Sequence, residues 1–507
     1  MTAQSNPPQA DPPQANIATW VADRAGTGPG LPAIKQGDAV LSYGALDVAS
    51  ARFAAILTDR GVRAGDRVAM TMPNVAYFPI VYYAILRLGA IVVPVNPLLK
   101  AGEVSYTWQD CGARVAVVFP PFADEAHKAA SITGTEVIVT VPGEFDTQLE
   151  ATAPFAGVVN RGPEDTAVIL YTSGTTGQPK GAELTHANLS SNVRTTIETL
   201  MPNGPGDVLF GGLPLFHSFG QTCGLNAAIA GGACLTLLPK FDAEQALTII
   251  EADRVTIFLG VPTMYMALLG VKDPGRFDTS HVKVGASGGA SLPVEVLRGV
   301  EQTFGFPLLE GYGLSETSPV ASFNHPDRPT RAGTVGTPIR GVEFGLRDED
   351  DHEVGPGEIG EIVIRGENIM KGYWNRPEAT AEAMRGGWFY TGDLATRDAD
   401  GFYAIVDRNK DMIIRNGFNI YPREVEEILY THPAVAEAAV FGVPDAVHGE
   451  EIAALITLKD GADATPDEIR DFVKAQIAVY KFPRIVRFGE LPKGPTGKIL
   501  KREIKLG

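Results

Sequence analysis

Short runs of β-branched and apolar residues alternate with segments of helical periodicity through the first four hundred residues of this chain. Helical periodicity is clear at residues 243–252 and 293–304. The runs that have the length and composition of buried strands are 114–119, 136–141, 167–171, 255–260 and 282–286. Strands that alternate with helices in this way favour layered, largely parallel sheets covered by helices. The pattern therefore predicts an α/β fold.

The pattern changes towards the C-terminus. Residues 340–408 consist of short strands and turns and predict a small β-subdomain, whereas the remainder predicts a compact α+β unit with a helix at 423–430. A chain of 507 residues is too long for one hydrophobic core, so separate domains are expected. We predict a disordered tail over 1–16, a large N-terminal domain over 17–409 and a small, mobile C-terminal lid domain over 410–507.

The composition disfavours several classes of protein. A net charge of −17 argues against nucleic acid as a partner, because that binding depends on neutralising phosphates. The three cysteines, Cys111, Cys223 and Cys234, are irregularly spaced and form neither a disulfide framework nor a metal motif. Unpaired thiols of this kind are typical of proteins in a reducing compartment.

The chain shows no signal peptide and no clear membrane span. A charged segment followed by an apolar one, which would mark a secretory signal, does not occur near the start. The apolar stretch 77–95 is long enough to cross a membrane, but Pro79, Arg87 and Pro94 interrupt it. These breaks favour a buried helix that runs into a strand. We expect a cytoplasmic protein without a transmembrane segment.

The predicted strand at 167–171 runs directly into a loop rich in glycine and hydroxyl groups, YTSGTTGQPKG at residues 171–181. Glycines let backbone N–H groups approach phosphate oxygens, and Ser and Thr hydroxyls add further donors. The loop is not a Walker motif, since Gln178 rather than lysine follows Gly177. We therefore predict phosphate binding by Thr172, Ser173, Gly174, Thr175, Thr176, Gly177 and Lys180.

Four further motifs follow this loop in the order GYGLSE at 311–316, YTGD at 390–393, DRNKD at 407–411 and PTGK at 495–498. Together with the loop they resemble, in sequence and in order, the motifs of the adenylate-forming superfamily. That superfamily includes acyl-CoA synthetases, aryl-CoA ligases, the adenylation domains of peptide synthetases, and luciferases. The resemblance covers about residues 17–505 and is greatest to the branch of acyl-CoA synthetases and fatty-acid–CoA ligases.

The resemblance implies a binding site for ATP. Glu316 supplies a hard carboxylate suited to Mg²⁺, and Thr172 is expected to share that metal site. Tyr312 is expected to stack on the adenine, and Asp393 to accept hydrogen bonds from the ribose hydroxyls. The other contacts expected with ATP or AMP are Gly289, Ala290, Gly311, Gly313, Ser315 and Arg408.

Lys498 is the residue expected to drive adenylation. Attack of a carboxylate on the α-phosphate builds negative charge on phosphate oxygens, which a nearby ammonium offsets. The resemblance makes Lys410 the hinge about which the C-terminal domain rotates between two half-reactions. After that rotation Arg415, Gly417 and Phe418 are expected to line the channel for CoA, where glycine has no Cβ to obstruct the thiol arm.

His217 is expected near the reacting carboxylate, because related CoA ligases have a mobile aromatic residue at this position. The segments 216–232 and 258–269 contain no acidic residue to bind an amine and no arginine to pair a second carboxylate. Amino acids and malonate are therefore disfavoured as substrates. An apolar acyl pocket is predicted from Phe216, Phe219, Val261 and Met264.

These residues predict an ATP- and Mg²⁺-dependent acid–thiol ligase that activates a medium- to long-chain fatty acid as acyl-AMP and transfers it to CoA. The small residues Gly220, Gly224 and Ala227 allow a long acyl tunnel, which favours a fatty acid. Two alternatives stay open: an aryl-CoA ligase for cinnamate- or 4-coumarate-like acids, and an acyl-AMP ligase that loads a separate carrier protein. The expected partners are a small carboxylic acid, ATP and CoA, with a homodimer as the expected assembly.

Overall fold

The computed structural model describes residues 15–172, 178–445 and 447–505. The α-helices in these ranges are α1 Thr19–Thr27, α2 Tyr43–Asp59, α3 Tyr77–Arg87, α4 Ala101–Cys111, α5 Ala123–Thr133, α6 Glu144–Ala151, α7 His186–Thr195, α8 Ala227–Gly231, α9 Ala243–Ala252, α10 Pro262–Leu269, α11 Val294–Phe304, α12 Pro377–Ala383, α13 Pro422–Tyr430 and α14 Pro466–Lys474.

The strands of the large region are β1 Pro32–Gln36, β2 Ala39–Ser42, β3 Arg67–Thr71, β4 Ile91–Pro94, β5 Val115–Val118, β6 Glu136–Val139, β7 Thr166–Thr172, β8 Lys180–Thr185, β9 Val208–Gly211, β10 Cys234–Leu237, β11 Ile257–Gly260, β12 Val284–Ser287, β13 Leu308–Gly313, β14 Val320–Phe323, β15 Thr337–Pro338, β16 Val342–Arg347, β17 Gly360–Gly366, β18 Gly372–Tyr373, β19 Met384–Arg385, β20 Trp388–Arg397 and β21 Tyr403–Arg408. Those of the C-terminal region are β22 Ile413–Arg415, β23 Phe418–Ile420, β24 Val435–Asp445, β25 Gly449–Leu458 and β26 Ile485–Phe488.

Two large sheets contain the parallel strands that the sequence predicts. One has the strand order β18-β8-β7-β4-β3-β5-β6, and the other has the order β15-β14-β13-β12-β11-β9-β10-β1-β2. Strands β3 to β7 pair in parallel in the first sheet, as do β1 and β9 to β13 in the second. The five predicted strands are β5, β6, β7, β11 and β12, and the predicted α/β class is confirmed.

The apolar stretch that begins at Tyr77 forms the buried helix α3 followed by strand β4, as predicted. Almost every residue of α3 is buried, which explains why its sequence lacks a polar face. Its charged residue, Arg87, is 3% exposed and pairs with Asp47, so the buried guanidinium keeps a counter-charge. None of the helices in the described part of the chain is long and apolar enough to cross a membrane.

The predicted β-subdomain is a sheet in the order β16-β17-β20-β19, with β21 paired to β20. A separate sheet near the C-terminus has the order β23-β22-β25-β24, with β26 beside β25. Helices α13 and α14 pack against that sheet and against each other, which gives the predicted α+β unit.

The large region and the C-terminal region have separate hydrophobic cores. Buried residues from Ile17 to Tyr403 form the main core of the large region, and Ile405 packs against it. Buried residues from Ile413 to Val486 form the second core. Lys410 is exposed between the two cores, so a change in the backbone there would not disrupt either one. The domain bounds at 409 and 410 stay a prediction.

Candidate active site

A cleft with a volume of ≈ 1510 Å³ is lined by residues from both large sheets, the β-subdomain and the C-terminal tail. It brings together predicted site residues from distant parts of the sequence. Those that line it are Thr172, Lys180, Phe216, His217, Phe219, Val261, Gly289, Gly311, Tyr312, Gly313, Ser315, Glu316, Asp393, Arg408, Lys410 and Lys498.

Some of the predicted residues lie elsewhere. Met264 is buried in the core of the large region, and Ala290 is partly exposed outside the cleft. Residues of the predicted CoA channel, Arg415, Gly417 and Phe418, belong to the C-terminal region and do not line the cleft. The rest of the predicted phosphate loop lies outside the described residues: Ser173, Gly174, Thr175, Thr176 and Gly177.

Glu316 presents a carboxylate to the cleft from a short turn after β13. Its Oε1 accepts hydrogen bonds from the hydroxyls of Thr172, at 3.3 Å, and Tyr373, at 3.0 Å. Burial raises the pKa of Glu316, while these two hydrogen bonds act against that rise. The predicted pair of Glu316 and Thr172 is thus in contact, whereas Tyr373 lies in none of the recognised motifs. The ammonium of Lys180 lies 5.3 Å from the centroid of the Tyr373 ring.

Asp393, Tyr312 and Arg408 meet where β20 and β21 pair. The register places Asp393 directly opposite Arg408, and Arg408 Nε lies 3.2 Å from Asp393 Oδ1. The Tyr312 hydroxyl donates to Asp393 Oδ2 at 2.7 Å. Asp393 is 4% exposed, so these contacts orient a buried carboxylate. The neighbouring Gly313 lets the backbone of Pro319 approach closely, because a Cβ on Gly313 would lie 1.8 Å from the Pro319 carbonyl oxygen.

Lys498 enters the cleft from a tight turn in the C-terminal tail. The turn is closed by Gly497 N–H donating to Gly494 O at 2.9 Å and by Gly494 N–H donating to Lys498 O at 2.8 Å. Gly497 has a φ of +78°, which glycine adopts without strain. Burial, reinforced by the nearby charge of Arg408, lowers the pKa of Lys498 to about 8.

His217 lies close enough to Lys498 for their charges to interact. Burial and then the charge of Lys498 lower the pKa of His217 to about 4, so the imidazole is neutral at physiological pH. Beside it the cleft wall is apolar, with Phe219 next to Gly288, where a Cβ would lie 3.3 Å from the Phe219 ring. The charged and the apolar parts of the cleft therefore meet at His217.

Of the predicted CoA-channel residues, Gly417 and Phe418 are exposed on the C-terminal region, whereas Arg415 is buried. Arg415 forms a two-pronged ion pair with Glu451, at 2.8 and 2.9 Å, which fixes the end of β22. Gly417 has a φ of +79°, and among the described residues no atom outside its chain neighbours would lie within 4 Å of a Cβ on it. Phe418 is 52% exposed and stacks on Tyr480 with ring centroids 4.7 Å apart. An open turn and the exposed ring of Phe418 can thus contact a second surface.

Helix α4 holds both ends of the predicted phosphate loop, a feature that the sequence motifs do not reveal. The Tyr171 hydroxyl donates to Asp110 Oδ2 at 2.6 Å, and Arg376 pairs with the same carboxylate. One turn earlier, the Tyr106 hydroxyl donates to Pro179 O at 2.9 Å. The four-residue spacing of Tyr106 and Asp110 puts both on one helix face. The sequence alone could show that these two side chains share a helix face, but it could not identify their hydrogen-bond partners.

This arrangement suits a polyphosphate and a carboxylic acid bound side by side. Within the described residues, no group of three or more His, Cys, Asp or Glu side chains is placed to hold a metal ion. A single carboxylate from Glu316 nevertheless fits Mg²⁺, which usually takes one or two carboxylates together with substrate phosphates and water. Lys498 supplies a positive charge beside the apolar wall, where a carboxylate would react.

Comparisons with known proteins agree with this geometry. A family model described as AMP-binding enzyme matches residues 21–374, and one described as AMP-binding enzyme C-terminal domain matches 424–498. The chain is 37% identical to a long-chain-fatty-acid–CoA ligase of Bacillus subtilis (strain 168), covering 97% of this chain and 94% of the relative. It is 38% identical to a feruloyl-CoA synthase of Amycolatopsis sp, covering 96% and 98%. ATP-bound MatB from Rhodopseudomonas palustris has a TM-score of 0.89 at 33% identity, covering 96% of this chain and 98% of MatB. The chain therefore belongs to the AMP-binding enzyme family.

Proposed function

We propose that this AMP-forming acyl-CoA synthetase activates a medium- to long-chain fatty acid with ATP and transfers it to CoA. The observation that carries the proposal is the meeting of Glu316, Asp393 and Lys498 in one cleft that also has an apolar wall. Similarity over nearly the whole chain to a long-chain-fatty-acid–CoA ligase supports it. We also propose that the metal is Mg²⁺, that the enzyme is a homodimer and that it is located in the cytoplasm.

In the first half-reaction, a carboxylate oxygen of the acid bonds to the α-phosphorus of ATP, and the bond from that phosphorus to the bridging oxygen breaks. Pyrophosphate leaves and acyl-AMP remains. The ammonium of Lys498 offsets the negative charge that develops on the phosphate oxygens. Asp393, held by Tyr312 and Arg408, orients the ribose. Glu316 would hold Mg²⁺, which neutralises phosphate charge when bound.

In the second half-reaction, the thiol of CoA loses its proton to water and its sulfur bonds to the acyl carbonyl carbon, and the bond from that carbon to the phosphate oxygen breaks. AMP leaves. Lys498 has no part in this step, so we propose that rotation at Lys410 withdraws it and presents Gly417 instead. The exposed turn at Gly417 supports this proposal, because no described side chain other than those of its chain neighbours would lie within 4 Å of a Cβ there.

The acid is proposed from the chemistry of the cleft wall. Phe216, Phe219 and Val261 supply apolar surface, and the segments that carry them contain no charged side chain to bind a second charge on the acid. Gly220 does not widen the pocket, because a Cβ there would lie 2.4 Å from the backbone oxygen of Pro214. The aryl-CoA alternative stays open, since a feruloyl-CoA synthase is equally similar over the whole chain.

A panel of acids tests the proposal. The purified enzyme is incubated with ATP, Mg²⁺, CoA and one acid from acetate, octanoate, palmitate, benzoate and 4-coumarate, and AMP and thioester are quantified. We expect equal amounts of AMP and thioester, with kcat/KM highest for octanoate or palmitate. If kcat/KM were highest for 4-coumarate, the substrate would be an aryl acid and not a fatty acid. AMP without thioester would point to transfer to a carrier protein instead of CoA.

The rate of adenylation is expected to fall as the pH rises through about 8. The pKa of Lys498 is lowered to about 8, so its ammonium is present below that pH and is lost above it. The profile of kcat/KM, which reports the free enzyme, should bend downwards near pH 8 in ATP–pyrophosphate exchange between pH 6 and 10. His217 should add no inflection in this range, because its pKa is about 4. A Lys498→Arg variant that keeps activity should lose the inflection, and a flat wild-type profile would contradict the assignment.

Replacing Gly288 with valine is expected to impair long acids selectively. Its Cβ would lie 3.3 Å from the Phe219 ring and 3.6 Å from Gly311 O, so the added methyl groups occupy the cleft between them. We expect kcat/KM for palmitate to fall at least about tenfold, with a smaller loss for butyrate and an unchanged KM for ATP. Gly275→Val, at an exposed turn with free space around it, is the matched control. Equal losses for both acids would show that Gly288 does not border the acyl chain.

A further inference from the structure

The turn that carries Lys498 is hydrogen-bonded to the large region. The hydroxyl of Thr263, near the start of α10, donates to the backbone oxygen of Gly497 at 3.0 Å. Gly497 immediately precedes Lys498, so this bond fixes the peptide from which the catalytic side chain departs. Thr263 itself does not line the cleft.

The fit between α10 and the turn is close. A Cβ on Gly497 would lie 2.7 Å from Thr263 Oγ1 and 3.1 Å from Val261 Cγ2, so the absence of a side chain permits the contact. Val261 also lines the cleft, and its other γ-methyl lies 3.6 Å from the position of a Cβ on Gly289. Residues 261–263, which we term the seat, thus contact the Lys498 turn on one side and the predicted acyl pocket on the other.

The bond links two regions with separate hydrophobic cores. It therefore exists only while the C-terminal region has the orientation seen here. Thr263 is partly exposed, so water can replace the Gly497 carbonyl as its partner once the turn moves away. The hydroxyl accordingly favours one orientation without being needed to hold the large region together.

We propose that Thr263 is a positioning residue for adenylation, whose hydroxyl holds the Lys498 turn on the seat and favours the orientation in which Lys498 reaches the cleft. It acts through Gly497 and contacts no substrate. Its effect is confined to the first half-reaction, because transfer to CoA requires the turn to leave. The inference rests on the proposed function.

Thr263→Val and Thr263→Ser test it. Valine keeps the branched shape and removes the donor, whereas serine keeps the donor. ATP–pyrophosphate exchange with palmitate measures the first half-reaction, and thioester formation from supplied palmitoyl-AMP measures the second. We expect Thr263→Val to lower kcat for exchange by about three- to tenfold, the typical effect of one lost hydrogen bond. The KM for ATP and the rate from palmitoyl-AMP should stay within about twofold of wild type, and Thr263→Ser should restore exchange.

The outcomes separate this inference from the proposed function. If Thr263→Val lost both half-reactions equally, or kept exchange at the wild-type rate, the role of Thr263 would be overturned. The proposed function would still stand, provided that the wild-type enzyme is active. A serine variant as slow as the valine variant would show that shape, and not the hydroxyl, matters. Wild-type enzyme that supports neither half-reaction with any acid of the panel would instead refute the proposed function. Melting temperatures of both variants detect misfolding.

Discussion

Replacing Lys498 with methionine is expected to lower acid-dependent ATP–pyrophosphate exchange by at least about 100-fold, the usual effect of removing one group that stabilises transition-state charge. Methionine matches the four-atom apolar stem of lysine and lacks the ammonium. Because we propose that Lys498 acts only in the first half-reaction, thioester formation from supplied palmitoyl-AMP should stay near the wild-type rate. A neutral side chain also avoids the desolvation that lowers the lysine pKa to about 8, so folding should not suffer.

Lys493→Met is the matched control, since Lys493 is in the same tail but pairs with Glu437 at 2.6 Å outside the cleft. It should leave both half-reactions within about twofold, as expected for the loss of an exposed ion pair. If Lys498→Met lost thioester formation as well as exchange, this would contradict the proposal that Lys498 acts only in the first half-reaction. Exchange at the wild-type rate would remove Lys498 from the mechanism.

Replacing Glu316 with glutamine is expected to lower exchange by about 100-fold and to raise the Mg²⁺ concentration needed for half-maximal rate. The amide oxygen can still accept the hydrogen bonds of Thr172 and Tyr373, so the change isolates the charge. Burial already raises the pKa of Glu316, and removing a buried charge should therefore not lower the melting temperature. The increase in melting temperature on adding MgATP, which does not depend on turnover, should be smaller than in wild type.

Glu310→Gln is the control for this variant. Glu310 is 1% exposed on β13 and does not line the cleft. Burial raises its pKa to about 7, so it is partly protonated near neutral pH and glutamine imitates that form. We expect wild-type dependence on Mg²⁺ in Glu310→Gln. A normal Mg²⁺ profile in Glu316→Gln would place the metal elsewhere.

The sequence predicted the layers of the fold because parallel strands buried on both faces leave short apolar runs that are easy to recognise. It also predicted that Glu316, Asp393 and Lys498 share one site, since each lies in a motif shared with a known family, and all three line the cleft. Motifs do not reveal side-chain direction, however. The position of Met264 in an apolar segment predicts a place in the acyl pocket, whereas on α10 it is buried and does not line the cleft.

The supporting contacts could not be predicted, because each depends on residues brought together by tertiary packing. Tyr106 and Asp110 on α4 hold the stem of the predicted phosphate loop, and Thr263 meets Gly497 across two regions with separate cores. Such contacts leave no periodicity in the sequence, and their residue types are common on any helix. A fold is needed to find them.

The fate of oxygen in the acid tests the proposed acyl-adenylate most directly. Palmitate labelled with ¹⁸O in both carboxylate positions is converted with ATP, Mg²⁺ and CoA. The ¹⁸O content of each product is then measured by mass spectrometry. If the carboxylate attacks the α-phosphorus, one labelled oxygen leaves with AMP and one stays in the thioester carbonyl, while pyrophosphate carries none. Unlabelled AMP, or label in pyrophosphate or inorganic phosphate, would contradict the mechanism built on Lys498 and the cleft.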